Sequence, residues 1–166
     1  IGYGELGRSV ANMAKHFGMD VLINTRTSTN LKDHEKSIPL SLVLEKADVV
    51  SLHCPLTGIT NHMIGENELD KMKSSAILIN TARGALIDSL ALFNALKEGK
   101  IAAAVIDVLP EEPPINGNIL LEYEGKNLII TPHIAWATRE ARQNAINQLA
   151  DTIKAFQAGK ELNVLT

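Results

Sequence analysis

Residues 1–7 read IGYGELG, which puts Gly2, Gly4 and Gly7 at G-x-G-x-x-G spacing. Glycines so spaced build a phosphate-binding turn when a strand runs into them and a helix runs out. Only Ile1 precedes the first glycine here, whereas the helical pattern ELGRSVANMAKHFG (5–18) follows at once. In such a turn Gly2 makes the tight bend and Gly4 lets the backbone approach a pyrophosphate. Gly7 lets the helix pack close to the sheet, with the phosphates at the helix N-terminus. Three glycines alone are a weak signal, so the rest of the chain decides whether the turn is real.

Working outward, short apolar runs alternate with amphipathic ones. DVLINT (20–25), DVVSLH (48–53), AILINT (76–81), AAAVIDV (102–108) and NLIIT (127–131) are rich in Val and Ile and nearly apolar throughout. Strands covered on both faces of a parallel sheet have that composition. Between them LSLVLEKA (40–47), GENELDKMK (65–73) and DSLALFNALKEGK (88–100) carry helical spacing, and TREARQNAINQLADTIKAFQAGK (138–160) reads as one long helix. Gly18, Gly99 and Gly159 stand where helices are expected to end. The alternation predicts an α/β fold with a doubly wound, Rossmann-type parallel sheet, in which ligands sit beyond the carboxyl ends of the strands.

The bulk composition narrows the classes. The chain has 166 residues, 45% hydrophobic and 21% charged, with a net charge of −3, one cysteine and 4% aromatics. That is enough chain for one domain with a proper core. Neither the charge nor any Lys/Arg-rich run marks a nucleic-acid partner or an anionic membrane surface. No apolar stretch approaches the ~18 residues of a membrane span, and no signal peptide opens the chain. Cys54, having no partner for an internal disulfide, suits a reducing cytoplasm. No spacing of His, Cys and carboxylates suggests a metal site.

The turn of a dinucleotide site is usually followed about 20 residues on by an Asp or Glu that bonds the adenosine ribose. Here the strand 20–25 ends in Asn24, Thr25 and Arg26, and Asp20 lies at its entry. Without that carboxylate a 2′-phosphate is not repelled, and Arg26 can pair with it. The cofactor is therefore expected to be NAD or NADP, with NADP accepted.

Three strand ends carry chemistry. Arg83 follows the strand at 76–80 in NTARG, Glu111 and Glu112 follow 102–108 in the stiff loop LPEEPPING, and His133 follows 127–131 in TPHIAWAT. The planar fork of Arg suits a substrate carboxylate. Imidazole titrates in the range needed to give a carbonyl its proton, and a carboxylate beside it favours the charged form and fixes its orientation.

From GYGELG through HCPLT, NTARG, DVLPEEPP and TPHIAWAT, essentially the whole chain resembles the nucleotide-binding domain of D-isomer-specific 2-hydroxyacid dehydrogenases. TPHIAWAT is most similar to the glycerate dehydrogenase/hydroxypyruvate reductase branch. The resemblance implies hydride transfer between NAD(P)H and a small 2-oxoacid, hydroxypyruvate or glyoxylate. It puts the substrate-binding arginine at Arg83, the acid of the His–acid pair at Glu112 and the general acid/base at His133. It assigns the nicotinamide carboxamide to Asp107, the adenosine side to Pro55 and Thr60, and the flanks of the nicotinamide to Thr81 and Ala82. The resemblance puts backbone groups of Glu5 and Leu6 at the pyrophosphate and makes Ala135, Arg83 and His133 further cofactor contacts, and Thr25 replaces the family's usual acid.

The resemblance also implies a homodimer and a second, substrate-closing domain that this chain lacks. Residues 1–160 are expected to form the dinucleotide-binding domain, cut at its first strand, with 161–166 starting the return to the substrate domain. Such a piece is expected not to fold stably alone. Two rivals remain: a nucleotide-sensing module like the corepressors of this fold, and a same-fold formate or phosphite dehydrogenase, with Glu112 arguing against formate because that branch has Gln. His16, His34, His53 and His62 are expected to be structural or solvated, and Cys54 a small buried residue. Trp136 borders the substrate mouth, a subunit contact or the core.

Overall fold

The computed structural model describes residues 1–27, 31 and 35–164. These divide into a unit at 1–132 and a unit at 133–166. His34 and residues 165–166 lie outside the described residues.

The first unit is built on a four-stranded parallel sheet in the order β1-β2-β3-β4. Its strands are β1 (Val49–Leu52), β2 (Ile77–Asn80), β3 (Ala103–Ile106) and β4 (Leu128–Ile130). Val49 pairs with Ile77, Ile77 with Ala103, and Ala104 with Leu128. Helices α1 (Glu5–His16), α2 (Leu40–Lys46), α3 (Glu66–Leu69) and α4 (Ser89–Lys97) connect them, with 3₁₀ turns at Gly84–Leu86 and Ile119–Glu122.

Beyond β1 the pairing continues through short segments. The Ile1 amine donates to Ser51 O at 2.8 Å, and His53 N–H donates to Ile1 O at 2.7 Å. On its other side Gly2 N–H donates to Asn24 O at 2.7 Å, and Ile23 forms a parallel bridge with Ser37. The order Ser37, Ile23, Ile1, β1, β2, β3, β4 is that of a doubly wound sheet, as expected.

Two elements differ from the sequence reading. The expected strand at 20–25 is a single bridge at Ile23: Ser37 and Ile38 pair with it on one side, and Gly2 N–H gives it one bond on the other. The expected helix at 65–73 is one α-turn that tightens after Leu69, where Lys71 and Met72 N–H bond three residues back, to Glu68 O and Leu69 O. The helix ends at Gly18, Gly99 and Gly159 form as expected. Each is followed by an N–H reaching five residues back, Met19 to Ala14, Lys100 to Ala95 and Lys160 to Ala155.

The core follows from the apolar runs. Leu44, Leu52, Ile64, Leu69, Leu78, Leu86, Leu92 and Ile106 are fully buried, each contributing about 1.5–3 kcal/mol of transfer free energy. α4 starts at a true cap: the Asp88 carboxylate accepts from Leu90 N–H and Ala91 N–H at 2.9 and 3.0 Å. A smaller cluster of Tyr3, Ala11 and Ile23 packs α1 against the turn. In the second unit α5 (Arg139–Gln157) is capped by Thr138, whose hydroxyl accepts from Ala141 N–H at 3.1 Å.

Candidate active site

The turn has the geometry its glycines predict. Gly2 has φ +87°, and a Cβ there would stand 2.6 Å from the backbone of His53 and Cys54. A Cβ on Gly7 would lie 2.2 Å from Gly2 O, so the helix closes on the turn only without a side chain. Gly4 is the opposite case: it caps α1, no side chain caps the helix there, and a Cβ would meet nothing within 4 Å. The first turn of α1 thus has no side-chain cap, and the space beside Gly4 is open at the positive end of the helix, which suits a diphosphate.

Five of the expected site residues, Leu6, Pro55, Thr81, Ala82 and Arg83, line one open cleft of about 630 Å³ together with His53 and Cys54. A smaller hollow of about 200 Å³ between α3 and α4 has Glu66 and Asp88 in its wall, and Lys100 there is tied to Asp70 at 2.7 Å. It holds none of the expected residues. Thr60 braces the cleft wall, its hydroxyl donating to Pro55 O at 2.7 Å. His53 is half-buried, its Nε2 2.9 Å from Ser51 Oγ, and burial holds its pKa down. Burial pushes the Cys54 thiol up, and its Sγ–H points at Met63 Sδ at 3.6 Å, so it is a packed thiol and not a reactive one.

Arg83 is exposed on the loop after β2, its Nη1 donating to Ala82 O at 2.6 Å. The residue that shapes this loop went unassigned in the sequence. Asn80 is wholly buried, and its carboxamide accepts from Ala82 N–H at 3.0 Å and donates to Arg83 O at 2.9 Å. A polar residue ending the apolar run AILIN was its only signal. Gly84 has an ordinary φ, but a Cβ on it would fall 2.0 Å from the carbonyl carbon of Leu109. The loop after β3 therefore rests directly on the loop carrying Arg83.

That second loop carries the acids. Leu109 N–H donates to Glu112 Oε1 at 2.8 Å, folding the exposed Glu112 back on its own turn. Glu111 accepts from Asn116 at 2.9 and 3.1 Å. Asp107, at the end of β3, is 3% exposed, and the Thr131 hydroxyl donates to its Oδ1. At the end of the segment 20–25, Thr25 is held through its backbone: its N–H donates to Ser37 Oγ at 2.9 Å, and Ser37 Oγ donates to Thr25 O at 3.0 Å. Arg26 beside it is exposed.

In the second unit His133 has φ +53°, a left-handed conformation uncommon for a side-chain-bearing residue. The Trp136 indole N–H donates to His133 O at 2.8 Å and closes this turn. His133, Ala135 and Trp136 are all exposed. His16 Nδ1 lies 2.7 Å from Asn12 O, and His62 is 3.9 Å from Asp88, neither near the cleft residues. Among the described residues no group of three or more His, Cys, Asp or Glu could hold a metal, and no helix is long and apolar enough to cross a membrane.

The parallel sheet, the glycine turn and the cleft at the strand ends define a dinucleotide-binding α/β domain. The family model for the NAD-binding domain of D-isomer-specific 2-hydroxyacid dehydrogenases matches residues 1–135, and the chain belongs to that family. It is 49% identical over 165 residues to the glycerate dehydrogenase of Methylorubrum extorquens, covering 99% of this chain and 51% of that protein. It is 43% identical over 163 residues to the glyoxylate reductase of Thermococcus litoralis, covering 96% of this chain and 48% of that one. Among solved structures, the NAD-complexed D-isomer-specific 2-hydroxyacid dehydrogenase of Lactobacillus delbrueckii ssp. bulgaricus superposes with a TM-score of 0.86. It is 33% identical, over 98% of this chain and 53% of that one. The chain spans about half the length of the relatives it matches.

Proposed function

We propose that this chain binds NAD(H) or NADP(H) and serves an oxidoreductase interconverting a small 2-oxoacid and its D-2-hydroxyacid. The substrates are hydroxypyruvate and D-glycerate, or glyoxylate and glycolate. The observation that carries this reading is the single cleft in which Leu6 of the phosphate turn and Arg83 of the β2 loop both stand. The names of the two relatives supply the substrate class.

When bound, the nicotinamide supplies the hydride. Gly2, Gly4, Glu5, Leu6 and Gly7 hold the pyrophosphate through backbone groups, Pro55 and Thr60 line the adenosine side, and Asp107 takes the carboxamide. Thr81, Ala82 and Ala135 flank the nicotinamide. Arg83 grips the substrate carboxylate with two parallel charge-assisted bonds. His133 gives its proton to the carbonyl oxygen during reduction and removes it again in the reverse direction, and Glu112 is the acid that the family resemblance assigns to its pair. Thr25 and Arg26 admit the 2′-phosphate of NADP(H), Arg26 by pairing with it. On this reading the protein is a cytoplasmic homodimer, the first from its lone packed cysteine and the second from the family resemblance.

The test is turnover of the full-length protein with a panel of 2-oxoacids and either reduced cofactor. Hydroxypyruvate and glyoxylate are expected to be reduced. His133→Gln should lower kcat by about 10²–10⁴-fold while cofactor affinity stays as it was. Tight cofactor binding without turnover of any 2-oxoacid would replace this reading with that of a nucleotide-sensing module.

A further inference from the structure

Tyr3 stands between the first two glycines of the turn, where the fingerprint asks only for a residue that fits. Its side chain is buried, and its hydroxyl donates to Glu35 Oε1 at 2.7 Å. Lys15, in the last turn of α1, donates to the same oxygen at 2.8 Å. The Glu35 side chain is only 4% exposed. A carboxylate taken this far out of water is costly unless it is paired and hydrogen-bonded. Tyr3 supplies the hydrogen bond and Lys15 the countercharge. Burial, then the bond and charge of Glu35, raise the Tyr3 pKa, which keeps the phenol a donor.

From Glu35 the bonds run on to the adenosine side. The segment Glu35 to Ile38 is laced to residues 23–25: Ile38 N–H donates to Ile23 O at 2.8 Å, and the Asn24 carboxamide donates to Ile38 O at 2.9 Å. Ser37 holds both backbone groups of Thr25. The Tyr3–Glu35 bond, the chain from Glu35 through Lys36 to Ser37, and the Ser37–Thr25 bonds thus link the phosphate turn at Tyr3 to Thr25 and Arg26. The sequence lacks a carboxylate at the strand end. The fold places one nearby, bonded to the protein's own phenol and ammonium.

We propose that Tyr3, Glu35 and Lys15 form a strut that fixes the Thr25–Arg26 segment relative to the phosphate turn and thereby sets affinity for the dinucleotide. They are positioning residues, acting through the backbone of Thr25 and Arg26. The strut rests on the dinucleotide-binding reading above.

The experiment uses the full-length protein with Tyr3→Phe, Glu35→Leu, the double variant and Lys15→Met. It measures the Kd of NADH and of NADPH by fluorescence, kcat at saturating cofactor, and the melting temperature. Tyr3→Phe and Glu35→Leu should each raise both Kd values about tenfold, the loss expected for a hydrogen bond to a charged group. At saturating cofactor kcat should stay within about twofold of wild type, since only cofactor positioning is lost. The double variant should bind no more weakly than Glu35→Leu alone, because Glu35→Leu already leaves the Tyr3 hydroxyl without that acceptor. Lys15→Met, at the exposed side of the cluster, should raise Kd about two- to threefold.

Kd values in the folded variants within about 1.5-fold of wild type would overturn the strut, whatever happens to the melting temperature. Additive losses in the double variant would overturn it as well. Should Tyr3→Phe fail to fold, an unchanged Kd in Lys15→Met decides against the strut. A wild-type chain that binds neither cofactor removes the dinucleotide reading and the strut together. Tight wild-type binding with insensitive variants removes the strut alone.

Discussion

Gly84→Ala tests the packing that brings the two acid- and base-bearing loops of the first unit together. The added methyl would stand 2.0 Å from Leu109 C, 2.3 Å from Pro110 N and 2.4 Å from Leu109 O, all of them backbone. No flexible side-chain tip can give way, so the loops themselves must part. Ordinary contact begins at 3.4 Å, so they must separate by ~1.4 Å in a tightly packed interior. Overpacking of this kind costs about 1–3 kcal/mol of stability. Arg83 is the neighbour of Gly84, and Glu112 is bonded to Leu109, so both groups move with the displaced backbone. A misplacement of about 1 Å at reacting groups costs on the order of 10²-fold in rate. The assay is kcat/KM for hydroxypyruvate and glyoxylate beside a thermal melt, with Gly58→Ala as control because a Cβ there meets nothing within 4 Å. The expected result is a melting temperature lower by several degrees and a loss of about 10²-fold in kcat/KM, with the control unchanged. If Gly84→Ala keeps kcat/KM within about threefold of wild type, the loops are not held apart by contact at Gly84 and the reasoning fails.

Three further outcomes follow from the same geometry. Asn80→Ala leaves Ala82 N–H and Arg83 O without their buried partner, so stability should fall by about 1–3 kcal/mol in urea unfolding, with a rise in substrate KM. Trp136→Phe removes the indole N–H that closes the left-handed turn at His133. It should lower kcat about fivefold with little change in KM, and equal kcat in the two proteins would show that the turn holds without it. Arg26→Ala should weaken NADPH about tenfold or more while leaving NADH nearly untouched, as paired titrations would show. Equal retention of both cofactors would remove Arg26 from the site.

The strand and helix order was legible because β1 to β4 are Val- and Ile-rich runs whose apolarity extends to both faces. The strand at 20–25 has the same composition and still forms only a bridge, since a strand becomes regular by pairing and its backbone bonds here are the isolated ones to Gly2 and Ile38. Arg83 was legible because it follows a strand of a parallel sheet, whereas Leu6, Pro55, Thr81 and Ala82 came from the family resemblance; all five line one cleft. The loop supports were not legible. Gly84 reads as a turn marker, but the constraint on it comes from Leu109 and Pro110 on another loop. Asn80 and Tyr3 act through hydrogen bonds that only the folded chain defines, and Tyr3 reaches a residue 32 positions away. Periodicity records which face a residue lies on, not the partner it finds there.

The strand order also bears on how the chain assembles. β1, β2, β3 and β4 pair each with the next, between residues about 25 positions apart, so this part of the sheet can grow by successive local closures. Among the described residues, the backbone bonds that tie residues 1–38 to β1 are those of Ile1 with Ser51 and His53. In amide exchange the Gly2 and His53 N–H groups should open ahead of those of Leu78 and Ala104. The segment that carries the glycine turn is thus fastened to the sheet by few bonds, and a bound dinucleotide would act there as a clasp.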